Sequence, residues 1–128
     1  MLKIYYTADS RYKVDRRFVL SYIQKSWLER EMPSGVLSVA FVGSRKGRQL
    51  AKEYLKDDIE HPVITFPLVT REGHFEVQND ETLLGEIVIC YPQVALYAAD
   101  KNREINKIIE QFLDHAISVL KQNLGSIV

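Results

Sequence analysis

Histidine is the residue type of this 128-residue chain that is best suited to metal binding, and the chain holds three histidines. His115 lies in FLDHAISVLKQNLG, whose apolar residues have helical spacing, whereas His61 and His74 lie far away in sequence. One imidazole cannot hold zinc by itself, because zinc sites use three or four protein ligands. We therefore predict that His115 packs beside Phe112 and Val119 and hydrogen-bonds a neighbour.

The single cysteine, Cys90, can form neither an internal disulfide nor a thiolate cage, which agrees with a reducing compartment. It stands in the apolar segment GEIVICYP, where a free thiol usually behaves as a small hydrophobe, so we assign it no chemistry. The N-terminal MLKIYYTADS lacks the apolar core of a signal peptide, and the longest apolar runs are too short to span a membrane. We expect a cytoplasmic protein that has no membrane partner.

Two basic runs, SRKGRQLAK and DSRYKVDRR, are candidates for phosphate binding. The first run opens a helix, whose N–H groups also favour anions, and in the second Tyr12 could stack on a base. The candidate RNA-binding residues are Arg45, Lys46, Arg48, Lys52, Arg16 and Arg17. Either run alone is more often a solvated helix face.

Charge is distributed unevenly along the chain. Residues 1–56 carry 12 basic and 5 acidic side chains, a balance of +7, and residues 57–128 carry 5 and 12, a balance of −7. The asymmetry is compatible with a surface for a polyanion. Taken alone, it slightly favours the alternative that the two halves pair in space and neutralise each other.

The helices and strands that position these residues are predicted from the spacing of apolar residues and from the glycine, proline and polar residues that interrupt it. A composition of 46% hydrophobic and 27% charged residues excludes a disordered chain and predicts one folded domain over 1–128. Strands are predicted at 2–7, 36–42, 62–68 and 85–92, helices at 16–31, 44–55, 93–102 and from about 103 to 125, and a loop or loose hairpin at 69–83. Asp15 and Ser44 stand where the first two helices need caps. The order predicts an α+β fold in which helices cover a small mixed β-sheet of about four strands.

The apolar face of the last helix is predicted from its helical spacing. Its members are Ile105, Ile108, Ile109, Phe112, Ala116, Val119 and Leu120. Gly125 is well placed to end the helix.

Two gapless segments resemble the YbeY family of ribosomal-RNA maturation factors. RQLAKEYLKDDIEHPVITFPL (48–68) is similar to the family's helix ending in Leu-Asn-x-x-Tyr-Arg followed by Asp-Val-Leu-Ser-Phe-Pro, and LLGEIVICYP (83–92) is similar to Leu-Leu-Gly-Asp-Ile-Val-Ile-Cys. The matching residues are Leu50, Tyr54, Asp58, Val63, Phe66 and Pro67 in the first segment and Leu84, Gly85, Ile87, Val88, Ile89 and Cys90 in the second. The resemblance implies a YbeY-like, zincin-like fold along nearly the whole chain.

The resemblance also implies a metal-dependent single-strand endoribonuclease, in which three histidines of the last helix and the chain just beyond it bind zinc. Here His115 keeps the first position, Val119 replaces the second histidine, and the third falls at or near Gly125. Leu55 and Ala51 stand where the family has an arginine associated with RNA cleavage and an asparagine. We therefore predict no cofactor, or zinc if the site has been rebuilt.

Two functions are expected from this departure. The favoured one is a divergent YbeY-like protein that has lost or weakened the nuclease site but still contacts ribosomal RNA, the small ribosomal subunit or a ribosomal protein through its basic residues. The alternative is an active endoribonuclease with a rebuilt zinc site, in which His61, Glu86 or Asp114 joins His115. A third hypothesis is that the chain is a structural relative of the family that binds an unrelated protein partner.

Overall fold

The computed structural model of the chain describes residues 2–67 and 82–125, with side chains described as far as residue 123. His74 and nearly all of the loop or hairpin predicted at 69–83 lie outside the described residues. The strands are β1 (Leu2–Ala8), β2 (Gly35–Val42), β3 (Val63–Pro67) and β4 (Leu83–Cys90). The helices are α1 (Arg16–Glu29), α2 (Ser44–Leu50), α3 (Tyr91–Asp100) and α4 (Ile105–Gly125), and a π-helical turn (Ala51–Leu55) continues α2.

The four strands form one mixed sheet in the order β1-β2-β4-β3, which confirms the predicted α+β class. β1, β2 and β4 run parallel, and β3 is antiparallel to β4 at the edge. Pro67 ends this edge strand, where a missing N–H costs least. β4 is buried along most of its length, as expected of a strand covered on both faces.

Each face of the sheet packs against a different set of helices. The larger core lies between the sheet and α1, α3 and α4. On the opposite face, a smaller core joins Ala51 of the π-helical turn to Ile64 and Val88 of the sheet. The helix that carries the first basic run is therefore on one side of the sheet, and α1, with the second, is on the other.

The buried side of α4 is wider than predicted. Leu113 and Ile117 are fully buried although neither belongs to the predicted stripe, and Val119 is only partly buried. The reason is that α4 packs against α1 on one side and α3 on the other, as well as against the sheet. No described helix is long and apolar enough to cross a membrane.

The two predicted helix caps have different outcomes. Asp15 caps α1, and its carboxylate accepts a hydrogen bond from the N–H of Phe18, as predicted. The prediction for Ser44 is wrong, because Gly43 is the N-cap of α2 and the Ser44 hydroxyl donates to Glu60 instead. The Ser44 hydroxyl is bound to a carboxylate from another segment and so does not cap the helix.

Candidate nucleic-acid interface

An open groove of about 630 Å³ runs along α2 and the linker that follows the π-helical turn. It is lined by Ser44, Arg45, Arg48, Gln49, Lys52 and Asp58. Three of these side chains are cationic, so the groove is a candidate site for a phosphate-bearing ligand. We call it the α2 groove.

The packing of α2 explains why the cations face outward. Gly47 lies against Cys90 at the end of β4, and Ala51 is buried against the sheet. Residues three and four apart share a helix face, so the inward placement of Gly47 and Ala51 leaves Arg45, Arg48 and Lys52 on the outer side. All three are exposed.

Glu60 connects the linker to α2 and to the end of β4. Its Oε1 accepts hydrogen bonds from the Ser44 hydroxyl at 2.5 Å and from the Cys90 thiol at 3.1 Å. The hydrogen bond from Ser44 is the main reason that the pKa of Glu60 lies below its ordinary value. Burial is the main reason that the pKa of Cys90 rises to about 12, so this thiol is protonated at neutral pH.

The ion pairs of the α2 groove are loose. Arg48 Nε lies 3.8 Å from Glu60 Oε2, and Lys52 Nζ lies 3.9 Å from Asp58 Oδ1. The arginine and lysine side chains are 61% and 67% exposed. The Lys52–Asp58 pair is exposed on both sides and contributes little. The Glu60 side chain is only 12% exposed, but the exposed Arg48 side chain is too far from it for a hydrogen bond, so both cations can turn to a phosphate.

The other three basic candidates lie elsewhere. Lys46 faces Glu86 on the sheet, where its charge lowers a pKa that burial raises. The Arg16 guanidinium lies 5.7 Å from the centre of the Tyr6 ring, and Arg17 is exposed next to it at the start of α1. The structure therefore brings together three of the six predicted residues, and a role for Lys46, Arg16 and Arg17 in RNA binding stays a prediction.

Tyr12, predicted to stack on a base, stacks on a neighbouring tyrosine. Its ring lies 4.8 Å from that of Tyr91 with an interplanar angle of 23°. The Arg11 guanidinium is 5.5 Å from the Tyr12 ring centre and forms an ion pair with Asp9 at 2.7 Å. These contacts tie the basic loop to the carboxyl ends of the parallel strands.

His115 is exposed on α4, and its packing beside the buried Phe112 and the partly buried Val119 stays a prediction. The Phe112 ring meets Tyr97 of α3 edge-on at 5.3 Å. The partly buried Val119, one helical turn beyond His115, has no atom that can bind a metal. This pair does not reproduce a two-imidazole site.

The proposed replacement ligands have separate partners. His61 Nε2 lies 3.0 Å from Asp57 Oδ2, and the Asp114 carboxylate accepts a hydrogen bond from Tyr22 and lies 3.6 Å from Arg30. Among residues 2–67 and 82–125, no group of three or more histidine, cysteine or acidic residues is placed to hold a metal ion. The described residues do not fit a three-ligand zinc site.

Three residues of the α2 groove, Ser44, Gln49 and Asp58, were not predicted as site residues. Gln49 carries no charge, and Asp58 has the sign opposite to that expected of a phosphate site. Asp58 reaches the α2 groove because the linker folds back on α2, and no local sequence pattern signals that return. In the sequence, only the match of Asp58 to the YbeY pattern indicated that this residue could belong to a site.

The chain is similar to known proteins of one family. A family model described as Endoribonuclease YbeY matches residues 6–120. The Endoribonuclease YbeY of Burkholderia cenocepacia is 28% identical over 110 residues, which cover 85% of this chain and 58% of that protein. The protein of the same name from Chromobacterium violaceum is 30% identical over 90 residues, which cover 70% and 51%.

A solution structure of a Thermotoga maritima protein shares the fold. It superposes with a TM-score of 0.57 at 19% identity, covering 90% of this chain and 69% of that one. The chain spans a little over half the length of the curated relatives it matches, 58% in the Burkholderia cenocepacia case. Because the family model spans most of the sequence, the chain belongs to the YbeY family.

Proposed function

We propose that this chain is an RNA-binding member of the YbeY family, active in ribosomal-RNA maturation, in which the zinc endoribonuclease site is lost or much weakened. Its ligand is ribosomal RNA, free or in the small ribosomal subunit. The observation that carries the proposal is the α2 groove, where Arg45, Arg48 and Lys52 face solvent along one helix.

Phosphate is the group that these three cations suit best. Arginine presents a planar fork of donors to phosphate oxygens, and lysine adds a mobile point charge. The two loose ion pairs, at 3.8 and 3.9 Å, hold the heads near the groove without burying them. A phosphate of a nucleic-acid strand can therefore replace the exposed Asp58 carboxylate beside Lys52 at small cost and can be reached by the exposed Arg48 side chain.

Loss of the nuclease chemistry is supported by the residues at the family's functional positions. Val119 and Gly125 cannot bind zinc through their side chains, and Leu55 cannot stabilise a phosphate. Of the residues suggested as substitutes, Asp114 accepts a hydrogen bond from Tyr22 of α1 and His61 lies against Asp57. We therefore derive no cleavage step.

The test is the affinity for a labelled single-stranded RNA, measured by fluorescence anisotropy at several salt concentrations. Replacing Arg45, Arg48 and Lys52 with Glu should weaken binding and flatten the slope of log K against log salt by about 2, because each phosphate contact on a single strand contributes about 0.7. Replacing Lys101, Arg103 and Lys107 with Glu makes the same charge change at exposed positions distant in sequence and should leave most of the affinity.

Melting temperatures of both variants establish that they are folded. Equal losses in the two variants would show that net charge alone drives binding and would refute the α2 groove as the site. Salt-independent RNA binding would refute phosphate contacts as its basis. No RNA binding would refute RNA as the ligand and favour a protein partner. Cleavage of the RNA that requires zinc would favour a rebuilt nuclease site.

A further inference from the structure

The α2 groove holds more than phosphate-binding groups. Beside its three cations lie the Asp58 carboxylate and the Gln49 side chain. A carboxylate repels phosphate, so its position among the cations needs a reason. The groove's volume of about 630 Å³ falls in the range of roughly 300–1,000 Å³ that is typical of small-molecule sites. It is large enough for a whole nucleotide.

Asp58 is exposed but stands on an anchored backbone. On one side, Asp57 accepts a hydrogen bond from the N–H of Ile59 at 3.1 Å and lies 3.0 Å from His61. On the other side, Glu60 is fixed by Ser44. The Asp58 side chain is 72% exposed, and Lys52 Nζ is 3.9 Å from Oδ1. The carboxylate is thus presented to the groove with room for a ligand.

Resting on the proposed function, we propose that the α2 groove selects a guanine base of single-stranded RNA, with Asp58 as the residue that reads it. The base donates its N1–H and N2–H groups to the two carboxylate oxygens. Arg45 and Arg48 bind the adjoining phosphates. Gln49, in the same groove, supplies an amide donor for the O6 acceptor.

Guanine is favoured because of the order of groups on its Watson–Crick edge. It is the only common RNA base that has two adjacent N–H donors there, so only guanine can form two parallel hydrogen bonds with one carboxylate. Adenine and cytosine each present one amino group beside a ring acceptor. Uracil has a single N–H between two carbonyl oxygens, and those oxygens face the negative charge unfavourably.

Three labelled hexamers test the proposal: one of uridines only, one with a single central guanosine, and one with inosine at that position. Inosine keeps N1–H and O6 but lacks the 2-amino group. The wild type should bind the guanosine hexamer roughly fivefold more tightly than the uridine hexamer, since a bidentate base contact gives at least about that discrimination. The inosine hexamer should lose most of this gain.

The variant Asp58→Asn separates base reading from simple charge effects. It should bind the guanosine hexamer more weakly and the uridine hexamer more tightly, because it removes both the double acceptor and a repelling charge. Glu53→Gln changes the charge equally at an exposed position outside the groove lining and should preserve the guanosine preference.

The possible failures are distinguishable. Salt-dependent binding of all three hexamers with equal affinity would overturn guanine selection and leave the proposed function standing. A rise in the affinity of Asp58→Asn for every hexamer would do the same, since Asp58 would then act only by repulsion. No binding of any hexamer would overturn both proposals.

Discussion

The carboxylate of Glu60 accepts a hydrogen bond from the hydroxyl of Ser44, 16 positions earlier in the chain. The contact joins the linker before β3 to the first turn of α2, and the Cys90 thiol extends it to the end of β4. Three segments thus meet at one partly buried acid. This acid sets the position from which Asp58 faces the α2 groove.

Replacing Glu60 with Gln should destabilise the protein by about 1 kcal/mol at neutral pH, since the charged acceptor becomes neutral. The pKa of Glu60 is depressed in the folded state, chiefly by the Ser44 hydrogen bond. The stabilisation is therefore fully present above the unfolded pKa of about 4.3 and is lost as the pH falls through the folded pKa.

Urea unfolding at pH 7 and at pH 4 checks this prediction. The difference between wild type and Glu60→Gln should be smaller at pH 4, whereas Glu53→Gln should leave the unfolding free energy nearly unchanged at both. A Glu60→Gln deficit that is the same at the two pH values would show that charge at Glu60 does not matter.

Tyr22 and Asp114 link α1 to α4. The Tyr22 hydroxyl lies 2.8 Å from both carboxylate oxygens of Asp114. Burial, followed by this hydrogen bond, raises the pKa of Tyr22. We expect Tyr22→Phe to cost about 1 kcal/mol of unfolding free energy, with a similar coupling energy in a double-mutant cycle with Asp114→Asn.

The pH dependence has the opposite sign to that of Glu60. A raised folded-state pKa means that the stabilisation is present below the unfolded tyrosine pKa of about 10 and is lost as the pH rises through the folded value. The wild type should therefore lose its advantage over Tyr22→Phe in strongly alkaline urea titrations. Additive single substitutions would show that Asp114 is not structurally engaged and is free for another role.

Gly85 and Gly47 should respond oppositely to alanine. A Cβ at Gly85 would lie 2.5 Å from Leu120 Cδ2 and 3.2 Å from the carbonyl oxygen of Phe66, so the buried Leu120 side chain would have to move and the Phe66 carbonyl would have to give way slightly. A Cβ at Gly47 would meet Cys90 Sγ at 3.4 Å, close to ordinary contact. We expect Gly85→Ala to lose about 1–3 kcal/mol from overpacking.

Gly47→Ala should cause no loss, because alanine gains up to about 1 kcal/mol of helix propensity over glycine. Melting temperatures measured side by side decide the matter. A stable Gly85→Ala protein would contradict the close packing of the C-terminal half of α4 on β4.

The sequence predicted those features that depend on neighbouring residues. The Asp15 cap was predictable because it is completed within three residues. The edge position of β3 is consistent with Pro67, because proline has no N–H to give to a further strand. The family resemblance added the connection between distant segments.

Features that depend on tertiary packing were not predictable in the same way. Leu113 and Ile117 are buried because helices flank α4 on both sides, and a single stripe cannot show this. The Ser44 hydroxyl binds Glu60 and does not cap α2, because Glu60 is brought to it by a distant part of the chain. In the α2 groove, Asp58 comes from a linker whose path no periodicity describes.

The most direct test of the proposal that the chain binds RNA and has no zinc centre is native mass spectrometry of the chain mixed with single-stranded RNA and zinc. One spectrum gives the zinc content, the RNA stoichiometry and the RNA mass. We expect a complex with intact RNA and no retained zinc, unchanged by His115→Ala because His115 is exposed. One zinc per chain that is lost with His115→Ala, together with shortened RNA, would contradict this account.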